Sequence, residues 1–127
     1  MSSWVLDSSA VVAFIRGEPG AQVVEPRLAS SLLSSVNAGE VVARLIKLDV
    51  SPADAIQWVR RLDYEIVAVD AAIGLRAGEL SALTHSKGLS LGDRVCLALA
   101  EREGVPALTA DRAWADLGLD IKVSLIR

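Results

Sequence analysis

The sequence predicts a single α/β domain, residues 1–127, built around a parallel β-sheet of about five strands. Short apolar segments alternate along the chain with longer segments whose apolar residues recur at helical spacing. This alternation indicates parallel strands, because parallel neighbours have to be joined by crossover connections, which are usually helices. The strand segments are apolar throughout rather than at every second residue, which predicts a sheet that is covered on both faces.

The first half of the chain is predicted to contain two strands and four helices. They are a strand over 4–6, a helix over 8–16, a helix over 22–28, a strand over 30–33, a helix over 37–48 and a helix that begins at Ser51. Glycines and a proline over 17–20 predict a turn after the first helix. Pro26 disfavours a regular helix over 22–28. A serine cap followed by Pro52 and Asp54 is typical of a helix start.

The second half is predicted to add three strands and three helices. They are a strand over 65–69, a helix from Asp70 to Lys87, a helix over 90–103, a strand over 107–109, a short helix near Asp111 and a strand over 121–126. Ile73, Ala77, Leu80 and Leu83 are expected to share the buried face of the helix that Asp70 caps. Lys87-Gly88 is a typical helix end.

Composition excludes several classes of protein. With 52% hydrophobic and 23% charged residues, the chain is not expected to be intrinsically disordered. No apolar stretch approaches the roughly 18 residues that a membrane span needs, and we see no signal peptide. The single cysteine, Cys96, excludes a disulfide within the chain. We therefore expect a cytoplasmic protein.

The charge balance is unlike that of an ordinary nucleic-acid-binding module. Thirteen Lys and Arg residues against sixteen Asp and Glu residues give a net charge of −3 and a pI near 5.1, whereas such modules are usually basic. Ten of the thirteen cations are arginine, which suits bidentate contact with phosphate. A dedicated acidic cluster would account for the negative balance.

Carboxylates follow the predicted strands where open parallel sheets place their functional crevice, beyond the C-terminal ends of the strands. Asp7 directly follows the first strand, and Glu40 lies one turn into the helix after the second. Asp111 comes two residues after Thr109, which ends the fourth strand, and Asp116 comes five residues later. We expect Asp7, Glu40 and Asp111 to converge at one edge of the sheet.

A fourth acid, Asp93, lies in the first turn of the helix before the fourth strand. It can join the others only if that helix begins at the same edge, which the sequence leaves open. Each acid also has a structural alternative. Asp7 and Asp111 can be helix N-caps, and Asn37–Glu40 and Ser90–Asp93 both match the capping-box pattern.

Four carboxylates gathered in one crevice would repel one another unless a cation lay among them. Mg²⁺ or Mn²⁺ suits such a cluster, because these ions prefer oxygen ligands and accept water and a substrate phosphate as well. A chain with one histidine and one cysteine is not expected to form a zinc site. Taken together, the acids favour a Mg²⁺ or Mn²⁺ site over four unrelated caps.

Four segments of the chain resemble the motifs of the PIN-domain ribonucleases, specifically the VapC-type toxins of prokaryotic toxin–antitoxin pairs. Segments 5–10 (VLDSSA) and 35–41 (SVNAGEV) are similar to the first Asp motif and the Glu motif of that family. Segments 89–100 (LSLGDRVCLALA) and 108–114 (LTADRAW) look like its third and fourth acidic motifs. The resemblance covers essentially the whole chain.

The resemblance implies a three-layer α/β/α domain that hydrolyses RNA phosphodiester bonds as a Mg²⁺- or Mn²⁺-dependent endoribonuclease. It implies that Asp7, Glu40, Asp93 and Asp111 form the catalytic and metal-binding set. Asp116 is a further but weaker candidate metal ligand, because a fifth acid is variable in the family. The resemblance also implies a cognate VapB-type antitoxin and, commonly, a homodimer.

Four polar residues beside these acids are candidates for contact with the substrate phosphate. Ser8 and Thr109 can hydrogen-bond the scissile phosphate or orient metal ligands, or they can serve in capping and strand-end packing. Arg94 and Arg112 each follow a candidate catalytic Asp. They can contact phosphate or pair with the acids, and the structural or electrostatic role is favoured.

Three other interpretations compete with the ribonuclease. A phosphoacceptor receiver domain needs an acidic pair after the first strand and a lysine after the last one, whereas Ser8-Ser9 follow Asp7 and Lys122 lies inside the last predicted strand. A nucleotide-binding Rossmann module needs a glycine-rich loop after the first strand, and the chain has none there. The third is a catalytically inert PIN fold that serves as a binding module, and metal-dependent cleavage of RNA would separate it from the enzyme.

Overall fold

The computed structural model of the protein describes residues 2–127 and contains one sheet of five strands. The strands are β1 (Trp4–Leu6), β2 (Ser31–Ser34), β3 (Glu65–Val67), β4 (Ala107–Thr109) and β5 (Val123–Leu125). They lie in the order β3-β2-β1-β4-β5, and every neighbouring pair is parallel. The predicted parallel sheet of about five strands is confirmed.

Seven α-helices connect the strands within the described part of the chain. They are α1 (Ser8–Arg16), α2 (Ala21–Val24), α3 (Ser35–Lys47), α4 (Pro52–Arg61), α5 (Ala71–Glu79), α6 (Ser81–Thr84) and α7 (Leu91–Glu103). Short 3-10 helices cover Glu25–Ser30, His85–Lys87 and Arg112–Asp116. None of the helices in residues 2–127 is both long enough and apolar enough to span a bilayer.

Helices cover both faces of the central strands of the sheet. Adjacent residues of a strand point to opposite faces, so the apolar pairs in β1 and β2 feed two separate clusters. Val5 and Leu32 pack on one face with residues of α5 and α7. Leu6 and Leu33 pack on the other face with residues of α1, α3 and α4. The expected three-layer α/β/α arrangement is confirmed.

Two predicted helices are interrupted. The helix predicted over 22–28 is divided into α2 and a 3-10 segment at Pro26, because proline lacks an amide hydrogen and its ring clashes with the carbonyl four residues earlier. The helix predicted from Asp70 to Lys87 stops at the end of α5 and continues as α6 and a 3-10 turn. Leu83 was therefore placed wrongly on the buried face, since it is 58% exposed.

The order of the strands reverses between β1 and β4. The chain runs from β1 outward to β2 and β3, then crosses back to β4 and β5 on the other side. A crevice at such a reversal, beyond the C-terminal ends of the strands, is the usual ligand site of open α/β sheets. Asp7 directly follows β1 and Thr109 ends β4, so the two residues flank this crevice.

Candidate active site

Asp7 is the buried centre of the crevice, with 3% of its surface exposed. It occupies the N-cap position of α1, but its side chain makes no capping hydrogen bond, so the cap interpretation is wrong for this residue. Its Oδ2 atom instead accepts hydrogen bonds from the hydroxyls of Ser9 at 2.6 Å and Thr109 at 2.8 Å. Its Oδ1 atom is buried without a hydrogen-bond partner among the described residues.

The two hydroxyls that hold Asp7 are themselves oriented by the backbone after β4. Ser9 Oγ accepts from the Ala110 amide at 2.9 Å, and Thr109 Oγ1 accepts from the Asp111 amide at 3.0 Å. Each hydroxyl therefore uses its own proton for Asp7. Thr109 was a sequence candidate, whereas Ser9 was missed. The sequence signal that could have identified Ser9 is its hydroxyl two residues after the acid, because short-range hydrogen bonds of Ser and Asp side chains are common.

Glu40 is held by a buried asparagine. Asn37 is fully buried, and its Nδ2 donates to Glu40 Oε1 at 2.7 Å and to the Gly92 carbonyl at 3.0 Å. Asn37 is not the helix cap that its spacing predicted: Ser34 caps α3, since Ser34 Oγ accepts from the Asn37 amide at 2.9 Å. The Ser34 hydroxyl donates in turn to Asn37 Oδ1 at 2.6 Å, so every polar atom of the Asn37 side chain is engaged.

Gly92 brings the start of α7 against the start of α3. A Cβ atom added at Gly92 would overlap the carboxylate of Glu40, so only glycine leaves that carboxylate its place. Because α3 begins at the C-terminal end of β2, the contact also places the start of α7 at this edge of the sheet. The structure thereby answers the question that the sequence left open for Asp93.

Asp93 has a capping role in addition to its place beside the other acids. Its Oδ2 accepts from the Ser90 amide at 2.9 Å, and Ser90 Oγ accepts from the Asp93 amide at 3.1 Å. The predicted capping box is confirmed. The same carboxylate contributes to the electrostatic field at Asp7, so capping does not remove Asp93 from the cluster.

Burial and neighbouring charge make Asp7 difficult to ionise. Loss of solvation is the largest effect, and together with the negative charges of Asp93 and Glu40 it outweighs the hydrogen bonds from Ser9 and Thr109, which act in the opposite direction. The net effect raises the pKa of Asp7 from 3.8 to about 6. Burial also raises the pKa of the Cys96 thiol, which feels the charges of the same three acids.

The other candidate residues lie around this centre without touching its carboxylates. Asp111 is exposed and its Oδ1 accepts from the Ala113 amide at 2.9 Å, so the predicted cap is confirmed. Its backbone is linked to Asp7 through Thr109. Asp116 is exposed at the end of a 3-10 helix and makes no hydrogen bond or ion pair with the residues that the structure describes.

The three remaining candidates differ in their contacts. Arg94 donates to the carbonyls of Ala77 at 3.0 Å and Leu89 at 3.1 Å, which ties α5 to the start of α7. Arg112 is exposed and Ser8 is half-buried. Neither of these two side chains is bonded to another residue of the 2–127 range.

The donor set fits a hard divalent cation. Within residues 2–127, no group of three or more His, Cys, Asp or Glu side chains stands ready to enclose a metal ion. Asp7 nevertheless presents a buried carboxylate oxygen without a partner, within the electrostatic reach of Glu40 and Asp93. Mg²⁺ and Mn²⁺ take oxygen ligands and retain several waters, so they do not require a closed protein cage.

The chain is similar to known proteins over most of its length. The family model for the PIN domain matches residues 4–119. A curated relative, Ribonuclease VapC from Mycolicibacterium smegmatis, is 28% identical over 119 residues, which is 87% of this chain and 92% of the relative. The resemblance to VapC-type PIN ribonucleases is thereby confirmed.

Solved structures show the same fold. The DNA-bound VapBC structure from Salmonella typhimurium matches with a TM-score of 0.76 at 15% identity, covering 100% of both chains. A toxin–antitoxin complex from Klebsiella pneumoniae gives a TM-score of 0.74 at 20% identity over 98% of both chains. The Mycobacterium tuberculosis toxin VapC20, described as cleaving the sarcin–ricin loop, gives 0.74 at 17% identity over 91% of this chain and 93% of that one.

The raised pKa of Asp7 predicts how stability depends on pH when metal is removed by a chelator. The folded chain binds the Asp7 proton more tightly than the unfolded chain, so this contribution to stability is fully present below pH 3.8 and is lost as the pH rises to about 6. A pKa difference of about two between the folded and unfolded chain corresponds to about 3 kcal/mol of stability. Asp7→Asn should therefore be more stable than the parent protein at pH 7, but not at pH 4.

Thermal melts with chelator at both pH values measure this difference. Asp54→Asn, at an exposed acid in the first turn of α4, is the matched control and should show no such change. An Asp7→Asn protein whose stability relative to the parent is the same at pH 4 and pH 7 would contradict the raised pKa.

The contact between Gly92 and Glu40 predicts that a substitution of Gly92 weakens metal binding but leaves the stability of the fold nearly unchanged. Gly92→Ala should displace the Glu40 carboxylate and break its bond to Asn37, weakening Mn²⁺ binding by about 10-fold or more, as is usual for groups that orient ligands. The Glu40 side chain is flexible and alanine favours helix, so the melting temperature should change little. Titration calorimetry with Mn²⁺ and thermal melts give the two readings.

Gly39→Ala is the matched control for this variant. Gly39 lies in α3 next to Glu40, and a Cβ atom added there meets nothing within 4 Å. It should leave Mn²⁺ affinity unchanged. Equal Mn²⁺ affinity in the Gly92→Ala and Gly39→Ala proteins would show that the position of the Glu40 carboxylate does not matter for the metal.

Proposed function

This chain belongs to the PIN domain family, and we propose that it is a Mg²⁺- or Mn²⁺-dependent endoribonuclease toxin restrained by a cognate antitoxin. One observation carries the proposal: a buried aspartate, held by two hydroxyls through one oxygen, leaves its other oxygen without a partner, within the electrostatic reach of two further carboxylates. Buried polar atoms in proteins usually have a hydrogen-bond partner, so an oxygen without one points to a ligand.

Asp7, Glu40 and Asp93 are the residues that would hold the metal, with Asp111 completing the acidic set from the end of β4. When bound, a divalent ion supplies a Lewis acid that activates water and offsets the negative charge of the phosphate in the transition state. Ser9 and Thr109 keep Asp7 in one orientation through its Oδ2 atom. Asn37 does the same for Glu40.

The chain's own groups also set the electrostatic conditions of the reaction. Without a cation, the acids repel a phosphodiester, and the charges of Asp93 and Glu40 add to the effect of burial in raising the pKa of Asp7. Burial of Asp7 excludes water from its sides, which strengthens its interaction with any cation that enters. Substrate approach therefore depends on prior neutralisation of the acids, which favours metal-dependent over metal-independent cleavage.

The relatives support the restraint by a partner. Two of the similar structures are described as toxin–antitoxin assemblies, and the curated relative is described as a ribonuclease. We propose that a small VapB-type antitoxin lays a segment across the acidic crevice and inserts an Arg or Lys near Asp7, Glu40 and Asp93. A homodimer stays a prediction.

Asp7→Asn should reduce metal-dependent RNA cleavage at least about 100-fold, a loss of about 2.7 kcal/mol of transition-state stabilisation, and should abolish growth arrest on expression. The change removes a charge and little volume, so the fold persists. Cleavage of total RNA with Mn²⁺ or with chelator measures the effect, and Asp54→Asn should cleave at the parent rate. If Asp7→Asn still cut RNA at the parent rate, the acidic site would not be catalytic.

A parent protein that folds and binds Mn²⁺ but cuts no RNA would instead support the inert binding module.

Expression with the neighbouring genes of the native host tests the partner. The chain should co-purify with a small protein encoded next to it, and that protein should suppress RNA cleavage. Because the acids attract the Arg or Lys of the antitoxin, Glu40→Gln should weaken the complex. Glu79→Gln, on the exposed end of α5, should not. Recovery of the chain from its host always free of any small protein would argue against an antitoxin.

A further inference from the structure

An open cleft of ≈ 300 Å³ lies on the surface next to the acidic crevice. Its lining residues come from the first half of α1, the loop that follows α1, the exposed side of α3 and the last residue, and they are Ser8, Ser9, Val12, Glu18, Arg44 and Arg127. Ser9 is also the residue whose hydroxyl donates to Asp7 Oδ2 at 2.6 Å. The cleft therefore adjoins the proposed catalytic centre through Ser9.

The two arginines of the cleft differ in how their charge is used. Arg127 Nη1 donates to the Pro19 carbonyl at 2.8 Å and lies 3.6 Å from Glu18 Oε1. These two side chains largely neutralise each other. Arg44 is exposed and has no hydrogen bond or ion pair within the described chain, so its charge is available to a ligand.

The wall of the cleft is fixed by close packing after α1. Gly20 has a φ of +99°, and a Cβ atom added there would meet the side chain and carbonyl of Ile126 at 2.7–2.8 Å. Only glycine fits such a position. The loop that carries Glu18 is thereby held against the residue before Arg127, so the cleft exists before any ligand arrives.

We propose that this cleft binds the RNA backbone next to the scissile phosphate, with Arg44 and Ser8 as the phosphate contacts. This inference rests on the ribonuclease function proposed above. An RNA strand carries a charge on every nucleotide, so phosphates next to the scissile one need cationic contacts outside the acidic crevice. A free guanidinium beside a hydroxyl without a partner is typical of phosphate recognition in proteins.

The composition of the cleft favours RNA over a protein segment. Five of the six lining residues are polar or charged, and the exception, Val12, is only 7% exposed. A docked peptide usually anchors large apolar or aromatic side chains in pockets, and none of the six lining residues is aromatic. Arg44, the lining cation without a partner among the described residues, matches the charge of a phosphate.

Binding of a fluorescent single-stranded RNA to the Asp7→Asn protein in Mg²⁺, measured by anisotropy at several salt concentrations, tests the inference without cleavage. Adding Arg44→Ala should weaken binding about fivefold for every RNA sequence and lower the salt dependence by about 0.7 in the slope of log K against log salt, the value for one phosphate contact with a single strand. Arg44→Lys should retain the slope, because the charge remains.

Arg60→Ala in the same background is the matched control. Arg60 is exposed on α4, has no ion pair in the described chain and lies outside the cleft, so its removal should change neither affinity nor slope. Melting temperatures should be equal for all these proteins, since both arginines are exposed.

Three results would overturn the proposal in distinguishable ways. Equal RNA affinity and slope in the Arg44→Ala and Arg60→Ala proteins would remove the cleft from RNA binding and leave the ribonuclease intact. Weaker binding of the co-purified partner by Arg44→Ala, with RNA binding unchanged, would make the cleft a protein-docking surface. Failure of the Asp7→Asn protein to bind any RNA, together with a parent protein that cuts none, would overturn the proposed function as well.

Discussion

The unequal treatment of the two oxygens of Asp7 is the constraint on which the site depends. One oxygen accepts from two hydroxyls, and the other is buried without a partner. A buried polar atom left in this way costs free energy, and the raised pKa of Asp7 expresses the same cost. Such strain persists where the surrounding fold imposes it, and it is offset when a cation binds only the folded state. The arrangement of the site therefore favours ligand binding and lowers the stability of the ligand-free protein.

The fold imposes this arrangement through two contacts between distant parts of the chain. Thr109 at the end of β4 and Ser9 in α1 both donate to Asp7, which directly follows β1, the neighbour of β4 in the sheet. Asn37 and Gly92 join the starts of α3 and α7, 55 residues apart in sequence. The first contact orients Asp7 and the second orients Glu40. Both contacts are made by short side chains. Neither the Asp7 carboxylate nor the Glu40 carboxylate can therefore move away from the other without breaking a hydrogen bond.

Local sequence patterns were sufficient for most of the fold. Apolar strands and helical periodicity depend on neighbouring residues, and the Ser90–Asp93 capping box is likewise local. The errors at the site have two origins. Asn37 has the spacing of a cap, but Ser34, three residues earlier, caps α3 instead, and the Asn37 side chain donates to the distant Gly92 carbonyl. Two adjacent serines follow Asp7, and only the packing of α1 against β4 determines that Ser9, rather than Ser8, reaches the carboxylate.

The separation of the free arginine from the acids has a physical reason. A guanidinium placed among Asp7, Glu40 and Asp93 would neutralise them and compete with a metal ion for the same oxygens. A polyanionic substrate nevertheless needs cationic contacts, and a protein with a net charge of −3 cannot attract it by its overall field. The position of Arg44 in a neighbouring cleft meets both requirements. Its charge is within reach of the RNA but does not neutralise the acids. The Glu18–Arg127 pair then forms a neutral part of the cleft wall rather than a second binding charge, so the charge that the cleft offers to an RNA phosphate is that of Arg44.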